Sequence, residues 1–273
     1  MPLQGKWAVG PPKIPGFSAA ECALESFIDC FESAGYDRES TRIAMLKMHR
    51  SKNFQELGCI LDSIMAARSS WGLAHWAAQA GLDNFSLLLE LGEDICKCDE
   101  DGHTPMHVAA SAGQSAVLRS LLLARADVEA RDAEHGTAAH KAAAANQDKA
   151  LRVLADLGAD LAAKDQWGGT PAHAAAANGA CISLLCLSSL GVMMMDIDST
   201  GQTPAHWAAE GGATAALETL ADLGAALDHK DYQDQTPYDI AVENNHMQAA
   251  HLLAGPKTNS TGPLDRTAFP FRD

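Results

Sequence analysis

An all-α repeat solenoid is the architecture expected of this chain. Histidines recur at His75, His107, His140, His173 and His206, at intervals of 32, 33, 33 and 33 residues, with Asp239 in the place of a sixth. The words around them recur too: GHTPMHVAASAG from Gly102, GGTPAHAAAANG from Gly168 and GQTPAHWAAEGG from Gly201. Behind each word come leucines three and four apart: Leu87, Leu88 and Leu91, then Leu118, Leu121 and Leu122, then Leu151, Leu154 and Leu157. A fixed period of this length marks a stack of like units, none able to bury its apolar face alone. The leucine spacing marks a helix with one buried stripe.

The elements follow in order. Residues 1–16, rich in proline and glycine, form an extended N-terminus. Residues 17–65 form a helical segment. Ser18-Ala19-Ala20-Glu21 is a capping box for a first helix, whose apolar face holds Leu24, Phe27, Ile28 and Phe31. Asp37 opens a second helix with Ile43, Met45 and Leu46, and a third carries Phe54, Leu57, Ile60, Leu61 and Ile64. This segment is either a degenerate capping repeat over the open end of the stack or a separate docking module.

Residues 66–254 hold six helix-turn-helix units. In Thr104-Pro105, Thr170-Pro171, Thr203-Pro204 and Thr236-Pro237, the threonine can cap free helix amides and the proline suits the first helical position. Alanine runs such as Ala174–Ala177 follow, then a stop at Gly81, Gly113, Asn146, Gly179, Gly212 or Asn245. The leucine helix ends on Gly92, Gly158, Gly191 or Gly224, which suit a left-handed cap. Arg125 breaks that series. A polar, hairpin-like turn opens with Asp99, Asp132, Asp165, Asp198 or Asp231. Residues 255–273 form a tail in which Phe269 and Phe271 could anchor on a neighbour.

With these motifs in register, the chain resembles ankyrin-repeat proteins, whose unit of about 33 residues carries T-P-L-H-x-A. The resemblance covers about residues 66–254. The first unit lacks Thr-Pro at Gly72-Leu73, the third has Ala138 for proline, and the sixth has Asp239 for histidine. The resemblance implies that the motif histidines bond within and between repeats. It also implies binding through the turn tips and the exposed side of the first helices, on the concave face. Carried onto this chain, the tips are Trp71, Glu100, Asp101, His103, Glu134, Gln166, Trp167, Thr200, Gln202, Tyr232 and Gln233. The helix positions are Gln79, Ser111, Ala144, Ala177, Asn178, Glu210 and Glu243. Trp71 and Trp167 stand out, because tryptophan in a polar turn buries nothing local and is enriched at binding hot spots. Trp76 and Trp207, next to the motif histidine, are expected to pack between repeats.

Composition narrows the function. The chain is 47% hydrophobic yet only 5% aromatic, and alanine supplies the difference, as close helix stacking requires. Residues 1–70 are charge-balanced, whereas residues 71–254 carry nine Lys/Arg against 25 Asp/Glu, a net of −16. Such a surface repels nucleic acid and anionic membranes and attracts a basic protein surface. The plainer account is that these acids cap turns and keep the protein soluble. The seven cysteines are odd in number and irregular in spacing, so reduced thiols in an intracellular, cytoplasmic setting are expected. No membrane span and no secretory signal are expected.

One histidine per repeat sets the rings roughly 8–10 Å apart, too far for zinc ligands at about 2.0–2.3 Å. Cys96-Lys97-Cys98 with His103 lacks zinc-knuckle spacing, so neither metal nor cofactor is expected. Nucleophile-elbow, phosphate-loop and zinc-protease motifs are missing. The expected function is a non-catalytic, intracellular protein–protein interaction module, an adaptor or a subunit of a larger assembly. The alternative is a regulatory or substrate-recognition arm of an enzyme complex whose partner does the chemistry.

Overall fold

The computed structural model describes residues 71–81, 83, 85–90 and 94–254. The expected N-terminal helices, Leu91, Gly92 and the tail at 255–273 lie outside these residues. Six helix pairs and no strand occur among the described residues. They are α1 (Leu73–Ala80) with α2 (Phe85–Glu90), α3 (Pro105–Ser111) with α4 (Ser115–Leu123), and α5 (Ala138–Ala144) with α6 (Asp148–Asp156). Then come α7 (Pro171–Ala177) with α8 (Cys181–Ser189), α9 (Pro204–Glu210) with α10 (Thr214–Asp222), and α11 (Pro237–Glu243) with α12 (Met247–Leu253). First helices stack on first helices and second helices on second, giving two layers.

The first helices are short because both ends are specified. Thr104, Thr137, Thr170, Thr203 and Thr236 hold an extended backbone at the N-cap. The expected threonine cap takes a particular form. Each threonine and the motif residue three places on make a reciprocal capping box. In four of these units the threonine hydroxyl also pairs with histidine Nδ1, at 2.9–3.0 Å. Each first helix ends on a left-handed residue, which at Asn146 and Asn245 is asparagine with φ 59° and 60°. Asparagine tolerates that region better than other side chains.

Alanine sets the spacing between units. Ala109, Ala142, Ala175 and Ala208 are wholly buried between first helices. The second layer is sealed by Leu118 and Leu121, Leu151 and Leu154, Leu184 and Leu187, and Leu217 and Leu220, all at zero exposure. Burying one such side chain contributes roughly 1.5–3 kcal/mol. Leu122 and Leu157, expected in the stripe, are only half-buried. The second helices close with paired backbone bonds, such as Gly158 N–H to Ala155 C=O at 3.0 Å and Ala159 N–H to Leu154 C=O at 2.9 Å. Arg125 makes the same closure at φ 67°.

Candidate functional site

From α3 onward, the turn before each first helix is organised by its opening aspartate. One carboxylate oxygen accepts two backbone amides: Asp132 takes those of Glu134 and Gly136 at 2.9 and 2.7 Å, and Asp165 those of Trp167 and Gly169 at 2.9 and 2.8 Å. Asp99, Asp198 and Asp231 repeat the pattern. The aspartate amide in turn donates to the carbonyl four residues on, as from Asp165 to Gly169 at 2.9 Å. A short polar residue is needed because only it can bridge its own turn this way. The acids opening these turns therefore hold the scaffold.

Neighbouring hairpins are then tied side by side. Ala133 N–H donates to Asp101 C=O, Gln166 to Glu134, Ser199 to Trp167 and Tyr232 to Thr200, at 2.9–3.0 Å. The motif histidines make the second tie. Nε2–H of His75, His107, His140, His173 and His206 donates to a carbonyl of the next hairpin, at 2.8–3.2 Å. Since that carbonyl can only accept, the ring is the Nε2–H tautomer, and its Nδ1 accepts the backbone amide of the N-cap residue three positions earlier. Burial pushes all five imidazoles below their ordinary pKa and takes His107 down to about 4. These histidines are scaffold, as expected.

The hairpins and the exposed sides of the first helices share one face. Lys141 on α5 reaches Asp132 at 2.7 Å, Trp207 on α9 donates Nε1–H to Asp198 at 2.9 Å, and Gln235 donates to Glu243 on α11 at 3.1 Å. Trp207 packs between repeats as expected, its ring edge-on to His173 at 5.2 Å. Gly169 is glycine for that reason, since a Cβ there would lie 2.7 Å from the Trp207 ring.

The eleven tip residues, with Asn178 and Glu210 from the first helices, divide by what they touch. Trp71 is half-buried, donates to Asp99 at 2.9 Å and stacks on His75 at 6.0 Å, so the expectation that it buries nothing local is corrected. Gln202 is half-buried and bridges to Asp231 at 3.2 Å. His103 is half-buried between Asp99 and Asp132, at 3.4 and 3.6 Å. Asn178 is exposed, with its amide on Ala174 C=O at 2.9 Å, and the exposed Thr200 donates its hydroxyl to Asp198 at 2.7 Å. Glu100, Asp101, Glu134, Gln166, Glu210 and Gln233 are exposed along this face, Glu134 with its carboxylate 3.9 Å from Lys141. Trp167 is 47% exposed and Tyr232 71%. The Tyr232 ring lies over Gly201, where a Cβ would come within 2.7 Å of it.

Some features escaped the sequence reading. Lys141, which meets Asp132 and Glu134, has no charged counterpart at its position in the other repeats. His135 and Asp234 hold left-handed tips, φ 61° and 62°, where Gly102, Gly168 and Gly201 stand in the other hairpins. The 33-residue register of the tip glycines would have revealed both.

Among the described residues, side-chain atoms of Asp99, Asp101 and His103 lie within 4.8 Å of one another. Both Asp99 oxygens are already engaged, one by the amides of Asp101 and His103 and one by Trp71. The exposed Cys96 and Cys98 stand outside this group. On α8, Cys186 is buried and Cys181 half-buried. No described helix is long and apolar enough to cross a membrane.

A family model described as ankyrin repeats matches the chain in three copies, over residues 74–165, 157–231 and 173–262. Among curated proteins, none matches.

Proposed function

Because the chain belongs to the ankyrin-repeat family, whose repeats generally mediate protein–protein interaction, we propose that it is a non-catalytic interaction module, an adaptor or a subunit of a larger assembly. The partner binds across the hairpin tips and first helices. The observation that carries this reading is Trp167. Its indole is 47% exposed on a hairpin whose backbone is locked to both neighbours, through Gln166 to Glu134 and through Ser199 to Trp167. A large ring held on a rigid tip loses little conformational freedom on binding, which suits a hot spot.

The surrounding charge supports a basic partner surface. Glu134, Asp101 and Glu210 line the face, and residues 71–254 carry a net of −16. Such a surface speeds association and makes it salt-sensitive. Trp71 and Gln202, turned to the scaffold, are left out of the proposed contact set.

Crosslinking of the purified full chain, followed by identification of the bound protein, tests the proposal. Trp167→Ala is expected to weaken that partner at least about tenfold, as for a tryptophan anchor. Unaltered affinity would remove Trp167 from the interface. A stoichiometric complex that survives high salt favours a fixed subunit, and a salt-sensitive one favours an adaptor.

A further inference from the structure

The opposite side of the stack, lined by the second helices, carries a surface that the hairpin face does not explain. Between Asp165 and Asp196 there are 30 residues without a single Asp, Glu, Lys or Arg. They make up most of the fourth repeat. Ile182 and Leu185, one turn apart on α8, are 54% and 51% exposed, while Leu184 and Leu187 face the core at zero exposure. Beyond the end of α8, Met193 and Met195 are also exposed. The period places Lys149 and Arg152 beside the first pair in the third repeat, and Ala215 and Glu218 in the fifth.

One ion pair shows what these positions do elsewhere. Arg119 on α4 meets Asp156 on α6 at 3.2 Å, linking the outer faces of the second and third repeats. One repeat on, the same positions hold Arg152 and Ser189, and another repeat on, Leu185 and Asp222. The fourth repeat therefore supplies neither the acid nor the base that would repeat this pair. Arg152 loses its acid and Asp222 loses its base, and neither makes an ion pair among the described residues. An apolar strip along α8 is left between a cationic edge, Lys149 and Arg152, and an anionic edge, Glu218 and Asp222.

We propose that this strip docks a single amphipathic helix of a partner protein. That helix presents an apolar stripe, with acidic side chains along the flank facing Arg152 and basic ones along the flank facing Asp222. The nine residues of α8 span about 13 Å, enough for anchors at i, i+3 and i+7 of a helix laid alongside. Methionines at one end give that contact room to adapt. A second copy of the chain is the poorer occupant. Each copy carries a net charge of −15, which repels another, and a strip one repeat wide falls short of the roughly 800 Å² per partner of a stable interface.

The test uses the full chain and two fluorescent synthetic helices of identical composition, both with leucines at i, i+3, i+4 and i+7. One has glutamates on one flank and lysines on the other, and the second alternates them on both flanks. Fluorescence anisotropy is expected to show the split helix bound at least about tenfold more tightly, since only it matches both edges. Leu185→Arg rebuilds the arginine–aspartate pair and is expected to abolish that preference without lowering the melting temperature. Trp167→Ala, on the other face, is expected to leave it intact, so this site and the hairpin site fail separately. Equal affinity for the two helices, or a preference that survives Leu185→Arg, overturns the proposal. So does sedimentation as a dimer that Leu185→Arg dissociates, because the occupant is then a second copy.

Discussion

Arg125 occupies the left-handed cap of α4 at φ 67°, where the equivalent Gly158, Gly191 and Gly224 need no Cβ. Its side chain is exposed and nothing in the described structure holds it there. Arg125→Gly is therefore expected to stabilise the fold by up to about 1 kcal/mol, read as a rise of about 2–4 °C in the thermal midpoint. A lower midpoint would show that arginine compensates through a contact in the native state. His140 represents the opposite case, a residue with every polar atom engaged. His140→Ala removes the donor to Gly169 C=O and leaves the buried Thr137 amide without its acceptor. A loss of about 1–3 kcal/mol is expected from chemical denaturation, with no effect from added chelator.

The hairpin is the element whose chemistry was least legible. The period and the Thr-Pro pairs were enough to place the helices and their caps, because those depend on residues close in sequence. The ties between hairpins run from backbone to backbone 32 residues apart, as from Ser199 to Trp167, and no side chain announces them. Trp71 illustrates the limit. Its polar neighbours suggested an exposed ring, yet its acceptor, Asp99, lies 28 residues away. Asp198 shows how tightly one carboxylate is shared: one oxygen takes the amides of Thr200 and Gln202, and the other takes the Trp207 indole. Asp198→Asn would set an amide donor against another donor. A loss of about 1–3 kcal/mol is expected, with a shift in tryptophan emission as the ring is released. Unchanged emission would place the Trp207 contact elsewhere.

At the scale of the whole molecule, the buried histidines make stability depend on acidity. In the unfolded chain they titrate near their ordinary value of 6.5, while burial keeps them neutral to lower pH in the fold, to about 4 for His107. The unfolded state thus binds more protons across that interval. Their contribution is complete above pH 6.5 and declines as pH falls toward 4. Burial alone would raise the pKa of Asp99, Asp132 and Asp198, but their hydrogen-bond donors outweigh it and the net shift is downward. The stability that they add is present above 3.8 and is lost as pH drops below it. Thermal melts are expected to show a falling midpoint from pH 7 to 4.5, and a flat profile would contradict a shared burial effect. The candidate surfaces were legible unevenly at this scale. The acidic tips could be counted from the chain, whereas the outer strip emerged only once Arg119 and Asp156 showed which positions meet.

The ties between hairpins also have a direction. Each hairpin offers a tip carbonyl forward, and each histidine donates forward, to the unit that follows. In the sixth repeat that grammar stops. Asp239 accepts the Thr236 amide at 2.9 Å as Nδ1 does elsewhere, but it has no second nitrogen to donate onward. Tyr238 and Val242, exposed at 42% and 40%, fill positions where Ala205 and Ala209 lie buried under the next unit. A seventh unit of the same design would meet side chains too large for its alanine seam and no forward donor. The sixth repeat thus closes the described stack with a face unlike those before it, an acceptor in place of a forward donor and Tyr238 and Val242 in place of alanines.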